Sequence, residues 1–99
     1  STVFQKLDSE LKTSDLLLAI NPNDGIGSNI VLGMAAILRK HIIIMLNRNF
    51  DLESLPGLMY KGFNEITKCE IIIYSDVQDL RKKLMKAVKT FLKSRSDKI

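Results

Sequence analysis

The feature that most constrains the fold is a pair of apolar runs in residues 15–46, separated by a glycine-containing turn and a helix-like segment. The first run is DLLLAI (15–20), the turn is NPNDGIGS (21–28), and residues 29–40 lead into the second run, HIIIML (41–46). A buried strand, a turn, a helix and a second strand make one βαβ unit, and such folds bind ligands at the turn that follows a strand. The sequence therefore predicts a binding site at residues 21–28.

The rest of the chain continues this alternation of strands and helices. Residues 69–74 are a third short apolar run, and such runs are typical of strands buried on both faces of a parallel sheet. Apolar spacing predicts helices over residues 2–13 and from Asp76 onward, with Asp76 or Ser75 as N-cap, and a short helix around residues 52–60. Right-handed crossovers then predict an α/β fold: a three-layer Rossmann-like (flavodoxin-like) parallel sheet with three strands flanked by helices.

The composition is that of an ordinary globular protein. The 99 residues are 45% hydrophobic and 26% charged, which fits one small α/β domain spanning residues 1–99. No run approaches the roughly 20 apolar residues needed to cross a bilayer, and no signal segment opens the chain. We therefore expect a cytoplasmic protein without membrane contact. The single Cys69 excludes an internal disulfide, and the sequence indicates neither a metal site nor a cofactor.

Basic residues are concentrated at the C-terminal end. Most of the formal net charge of +4 comes from lysines and arginines in residues 81–98. A basic helix can bind phosphate backbones. The solvated face of an amphipathic helix, with cations near the negative end of its dipole, explains the same pattern, so we do not expect nucleic acid as a partner.

The turn after the first strand has the chemistry of a small-ligand site. Free amides at a helix N-terminus bind anionic or hydroxyl groups, and glycines let the backbone approach a ligand closely. A phosphate, a ribose hydroxyl or a carboxylate would fit. Alternatively, the glycines only permit a tight turn and the serine only caps the helix. The candidate ligand-binding residues are Asn21, Asp24, Gly25, Gly27, Ser28 and Asn29.

The middle of the chain resembles the nucleoside 2-deoxyribosyltransferase-like family, which is related in fold to TIR-like nucleotide-processing domains. The matching features are Ser14-Asp15 opening an apolar strand, Asp24 in the loop, and the helix pattern GSNIVLGMAAILRK in residues 27–40 before the next strand. Residues 55–60, 70–74 and 77–80 are similar to the family's closing pattern. The resemblance extends over roughly residues 14–90 and implies a nucleoside or nucleotide ligand.

Two departures from the family pattern matter. The family's catalytic glutamate falls on Val31, whose aliphatic side chain can neither form a glycosyl ester nor stabilise an oxocarbenium-like centre. No other residue is assigned a catalytic role. The family's opening strand and helix also have no counterpart before Thr2, so the resemblance leads us to expect that part of the family's pocket is missing. The resemblance therefore implies a degenerate or truncated member.

Three functions are compatible with these observations. The leading one is a nucleotide- or nucleoside-binding module that lacks the family's catalytic glutamate. A second is a nucleoside deoxyribosyltransferase or N-glycosidase that is active only as an oligomer, and a third is a non-catalytic structural or protein-interaction domain. The apolar strand Leu16–Ile20 would lie at a sheet edge, which proteins usually shorten, charge or cover. We therefore expect a homo-oligomer formed through this edge strand.

Overall fold

Helices and strands alternate along the chain in the computed structural model, which describes residues 3–22 and 26–96. The strands form one parallel sheet in the order β1-β2-β3. The predicted α/β class, with a three-stranded Rossmann-like parallel sheet flanked by helices, is confirmed. The elements are α1 (Val3–Thr13), β1 (Leu16–Ile20), α2 (Ile26–Ile37), β2 (His41–Asn47), α3 (Leu55–Phe63), β3 (Cys69–Tyr74) and α4 (Val77–Ser96).

Helices cover both faces of the sheet and give the molecule three layers. Successive side chains of a strand point to opposite faces, so each face builds its own core. One core joins Leu11 of α1, Leu32 of α2 and Tyr60 of α3 to the sheet. The second joins Ala87 of α4 to Ile43 on the opposite face.

Burial differs between the central strand and the edge strands. Residues 42–46 of β2 are 0% exposed, as expected for a strand covered on both faces. The same expectation is wrong for β1, where residues 16–19 are half-buried and Ile20 is 44% exposed. The reason is position, since β1 pairs with β2 alone among the described residues and its outer edge receives no strand.

Helix α3 begins three residues later than the sequence pattern predicts. The Ser54 side chain accepts a hydrogen bond from the Gly57 backbone N–H at 3.3 Å and caps the helix, and Pro56 occupies its first turn. Residues 51–54 instead form a turn, in which the Asp51 carboxylate accepts from the Glu53 N–H at 2.9 Å. Local capping chemistry therefore sets the boundary more closely than apolar spacing does.

Helix α4 begins with a reciprocal cap that uses both predicted residues. The Asp76 carboxylate accepts from the Asp79 N–H at 2.8 Å, and the Asp79 carboxylate accepts from the Ser75 N–H at 2.9 Å. The hydrogen bond from Ser75, followed by the one from Lys83, lowers the pKa of Asp79. At 20 residues α4 is the longest helix, yet neither it nor any other helix in the described ranges is long and apolar enough to cross a membrane.

Candidate functional site

The carboxyl ends of the three strands meet at one edge of the sheet, where the Asn21 side chain joins them. Asn21 Oδ1 accepts from the backbone N–H of Asn47, at the end of β2, with an N···O distance of 3.2 Å. Asn21 Nδ2 donates to the hydroxyl oxygen of Tyr74, at the end of β3. We call Asn21, Asn47 and Tyr74 the polar cluster. It lies where parallel α/β sheets bind ligands.

The backbone around the polar cluster is also held by hydrogen bonds. Asn21 has a φ of 48°, in the left-handed region that asparagine tolerates better than most residues. Its N–H donates to the Met45 carbonyl at 2.9 Å. The Asn47 side chain accepts from the Asn49 N–H at 3.0 Å. These bonds fix the point at which the chain leaves β1 and enters the predicted binding turn.

An apolar groove of about 290 Å³ lies along β1 and the first turns of α2. We call it the edge groove. Ser28 supplies its polar side chain, and Val31 is part of its wall. Since Ile20 and Pro22 flank Asn21 in the chain and both line the groove, the groove adjoins the polar cluster. The lining residues are Leu17, Leu18, Ala19, Ile20, Pro22, Ser28, Val31 and Leu32.

The structure brings two of the predicted ligand residues to this edge of the sheet. Asn21 belongs to the polar cluster, and Ser28 lines the edge groove. Gly27 lies in the first turn of α2, where backbone N–H groups have no partner within the helix. Asp24 and Gly25 fall outside the described residues.

Asn29 has a different environment from the one expected of a ligand residue. Its Oδ1 accepts a hydrogen bond from the Tyr60 hydroxyl at 2.7 Å. Tyr60 is 0% exposed, and burial raises the pKa of its hydroxyl. A buried hydroxyl usually needs such a partner. The Asn29 side chain thus joins α2 to α3.

Sequence reasoning missed residues that reach the same edge from the other strands. Asn47 and Tyr74 complete the polar cluster, although only the turn after β1 was predicted as a site. Arg48 follows directly, with its N–H donating to the Tyr74 carbonyl at 2.9 Å and its side chain exposed. The sequence carried a signal for Asn47 and Tyr74, since the first directly follows a predicted strand and the second ends one. The carboxyl ends of parallel strands lie at the same edge of a sheet, so the residues there meet.

The described part of this edge of the sheet combines apolar and polar groups. No carboxylate is among the groove residues. No group of three or more potential metal ligands occurs in the described ranges. His41 lies at the opposite end of β2, 3.5 Å from Glu70 and edge-on to the ring of Phe91. The arrangement offers apolar walls, hydroxyl groups, backbone N–H groups and a cation.

Comparison with known proteins identifies a shared fold. No protein-family model and no curated protein matches the chain. A solved structure of CMP N-glycosidase, BcmB, from Clostridium botulinum is similar, with a TM-score of 0.66 and 22% sequence identity. The similarity covers 82% of this chain and 69% of that one. The chain therefore shares the α/β fold of an enzyme named for its action on a nucleotide.

Proposed function

We propose that this protein is a nucleoside- or nucleotide-binding α/β domain. The observation that carries the proposal is the meeting of an apolar groove with the polar cluster at the carboxyl ends of the strands. The fold shared with a CMP N-glycosidase and the resemblance to the nucleoside 2-deoxyribosyltransferase-like family support the same class of ligand. Neither similarity identifies the base or the sugar.

We assign the base, sugar and phosphate of a nucleotide to different residues of the edge groove and the neighbouring strand ends. The apolar walls formed by β1 and Val31 suit a base or the carbon face of a sugar. The Ser28 hydroxyl and the N–H groups of the first α2 turn suit hydroxyl or phosphate oxygens. Arg48, exposed and without an ion pair in the described residues, is the cation that we assign to a phosphate. For the sugar we propose Asp24, the acidic residue of the turn predicted from the sequence.

We further propose that binding occurs without the family's glycosyl chemistry. Val31 occupies the position to which the resemblance assigns the catalytic glutamate, and it lines the edge groove. An aliphatic side chain there leaves the anomeric carbon of a sugar without a nucleophile. The second candidate, an N-glycosidase whose acidic group comes from elsewhere, is favoured by the activity named for the similar structure.

A titration of the ¹⁵N-labelled protein with CMP and with cytidine tests binding. We expect both ligands to shift the amide signals of Ser28 and Val31 and to leave those of α4 unchanged. Ser28→Ala should weaken the binding of both ligands. The control Ser94→Ala replaces an exposed serine on α4 and should leave the binding of both unchanged. Unchanged signals at millimolar ligand would contradict the proposal.

The assignment of the phosphate to Arg48 has its own comparison. Arg48→Ala should lower the affinity for CMP about tenfold, as expected when one charge-assisted hydrogen bond is lost, and should leave the affinity for cytidine unchanged. The exposed α4 residue Arg81, changed to alanine, controls for net charge. Release of free cytosine from CMP is measured in the same samples. Release of cytosine above the rate in buffer would establish the second candidate function, an N-glycosidase. It would contradict the proposal that the protein binds without catalysis.

A further inference from the structure

The hydrogen bonds of the polar cluster fix the orientation of the Asn21 side chain. A backbone N–H can only donate, so the Asn21 atom that faces the Asn47 N–H is the carbonyl oxygen Oδ1. The amide nitrogen Nδ2 therefore faces Tyr74 and donates to its hydroxyl oxygen. Because an amide nitrogen donates and does not accept, Tyr74 cannot give its own proton to Asn21.

The proton of the Tyr74 hydroxyl has no acceptor within the described ranges. Tyr74 is 7% exposed, and among the described residues its hydroxyl forms only the hydrogen bond from Asn21. A hydroxyl can donate one hydrogen bond besides those that it accepts, and burying an unused donor costs free energy. The hydroxyl of Tyr60, the other tyrosine of the chain, donates to Asn29 Oδ1. The two buried tyrosines therefore differ, because the proton of Tyr60 is engaged and that of Tyr74 is available.

Asn47 contributes further donors to the polar cluster. Its Oδ1 accepts from the Asn49 N–H, so its Nδ2 hydrogens point away from that backbone group. In the part of the chain that the structure describes, nothing accepts from this Nδ2. A backbone N–H thus engages the amide oxygen of Asn21 and that of Asn47, while hydrogens on Tyr74 and Asn47 stay unused. The polar cluster consequently offers donors to a ligand.

A ligand group that accepts hydrogen bonds and has none to donate matches these donors. In a nucleotide this describes the phosphate oxygens and the base carbonyls, whereas the sugar hydroxyls both donate and accept. A hydrogen bond from a hydroxyl or an amide to a charged oxygen is also stronger than one to a neutral oxygen. The chemistry of the cluster therefore favours a phosphate.

The charge beside the polar cluster favours the phosphate as well. Arg48 directly follows Asn47, is exposed and forms no ion pair with another described residue. Its backbone N–H donates to the Tyr74 carbonyl oxygen at 2.9 Å, which places the arginine next to the end of β3. The carboxylates that follow Tyr74, those of Asp76 and Asp79, already accept backbone N–H groups at the start of α4.

We propose that the Tyr74 hydroxyl donates a hydrogen bond to the phosphate of a bound nucleotide and, together with Arg48, makes the site select nucleotides over nucleosides. This inference rests on the proposed function, because it adds a contact to the ligand proposed there. Asn21 positions the Tyr74 hydroxyl from the end of β1 by donating to its oxygen. Tyr74 is then a specificity-determining residue that reaches the ligand from β3.

Replacing Tyr74 by phenylalanine removes the hydroxyl and keeps the ring. We expect Tyr74→Phe to lower the affinity for CMP at least about tenfold, because a hydrogen bond to a charged group is lost, and to leave the affinity for cytidine unchanged. Tyr60→Phe is the matched control, since it also removes a buried hydroxyl, but one whose proton Asn29 accepts. It should leave both affinities unchanged. Isothermal titration calorimetry measures the affinities.

A second measurement uses the tyrosines of the unchanged protein. The chain contains two tyrosines, so protein labelled with ¹³C at tyrosine Cζ gives two signals, which Tyr60→Phe assigns. The Cζ signal responds to a new hydrogen bond of the hydroxyl. We expect CMP to shift the Tyr74 signal and to leave the Tyr60 signal in place, whereas cytidine should shift neither.

The outcomes separate this inference from the proposed function. If neither CMP nor cytidine binds the unchanged protein, the proposed function is wrong and this inference is wrong with it. If CMP binds but Tyr74→Phe binds it equally well, or the Tyr74 Cζ signal does not move, only the phosphate contact is wrong. An equal loss of affinity for CMP and cytidine in Tyr74→Phe would also overturn the contact, because Tyr74 would then act on the nucleoside or on the fold.

Discussion

The thiol of Cys69 shows how burial controls the chemistry of a single residue. The side chain is 7% exposed, and its sulfur lies 3.8 Å from the Tyr60 carbonyl oxygen. Burial, and then the negative charge of Glu70, raises its pKa from 9.0 to about 11. The thiolate is the reactive form of cysteine, so Cys69 is a packing residue.

This shifted pKa predicts how stability depends on pH. Between pH 9 and 11 the thiol ionises in the unfolded chain but stays protonated in the folded one, so the free energy of unfolding should fall as pH rises. The contribution is fully present below pH 9. Urea unfolding at several pH values should show a steeper fall for the unchanged protein than for Cys69→Ala, by at most about 1 kcal/mol per pH unit. Equal slopes would contradict this explanation.

Residue roles were the part of the site least accessible from the sequence. Asn21 and Asn29 were both expected to bind a ligand, and both have side chains engaged within the protein. Their partners, Tyr74 and Tyr60, lie 53 and 31 positions further along the chain. Local patterns carry no information about such distant pairs. Ser28 lines the edge groove, where the local strand-turn-helix geometry puts it, and its contact with a ligand stays a prediction.

Among the elements, α3 depends on one glycine in its first turn. Gly57 is buried, and a Cβ added to it would collide with the backbone of Leu52 in the preceding turn. That backbone is held in place, since Asp51 and Ser54 on either side of it are hydrogen-bonded to each other. The close approach of helix and turn therefore requires a residue without a side chain.

The two α3 glycines should respond in opposite ways to alanine. We expect Gly57→Ala to destabilise the protein by roughly 1–3 kcal/mol, because the turn must move to accept the methyl group. Gly62→Ala places its methyl group in open space and should stabilise the helix by up to about 1 kcal/mol. Thermal unfolding of both variants provides the comparison. An unchanged unfolding temperature for Gly57→Ala would show that the turn can move to accept the methyl group at little cost.

At this scale the sequence predicted most of the structure. All three strands and the long helices followed from apolar runs and helical spacing, since these patterns express directly which side of an element is buried. The start of α3 did not, because Ser54, Pro56 and the Asp51 turn determine it by hydrogen bonding and backbone geometry. Burial of β1 was overestimated, because its composition is that of an internal strand although its position is at an edge.

At the scale of the whole molecule, the outer edge of β1 is a surface through which chains could pair. Its five residues, LLLAI, include no charge and no proline, the usual devices that prevent edge-to-edge pairing. β3, at the other side of the described sheet, carries Glu70. Association through β1, which the sequence predicted as the route to a homo-oligomer, stays a prediction.

The effect of this edge should be measurable as aggregation on heating. We expect Ile20→Lys to slow aggregation above the unfolding onset, because a lysine on an edge strand opposes pairing with another chain. Ile20 is 44% exposed, so the free energy of unfolding should change by less than about 0.5 kcal/mol. Light scattering at equal concentration measures the rate, with Met85→Lys as a control of equal charge. Equal rates in the two variants would exclude β1 as the aggregating segment.

The order of the strands in the sheet has a consequence for how the chain folds. Each strand pairs with the one that precedes it in the sequence, and no later strand has to be inserted between two earlier ones. The sheet can therefore be completed in the order in which a ribosome synthesises it, one βα unit at a time. Because the contacts join consecutive units, only short loops have to close during folding, and short loops favour rapid folding.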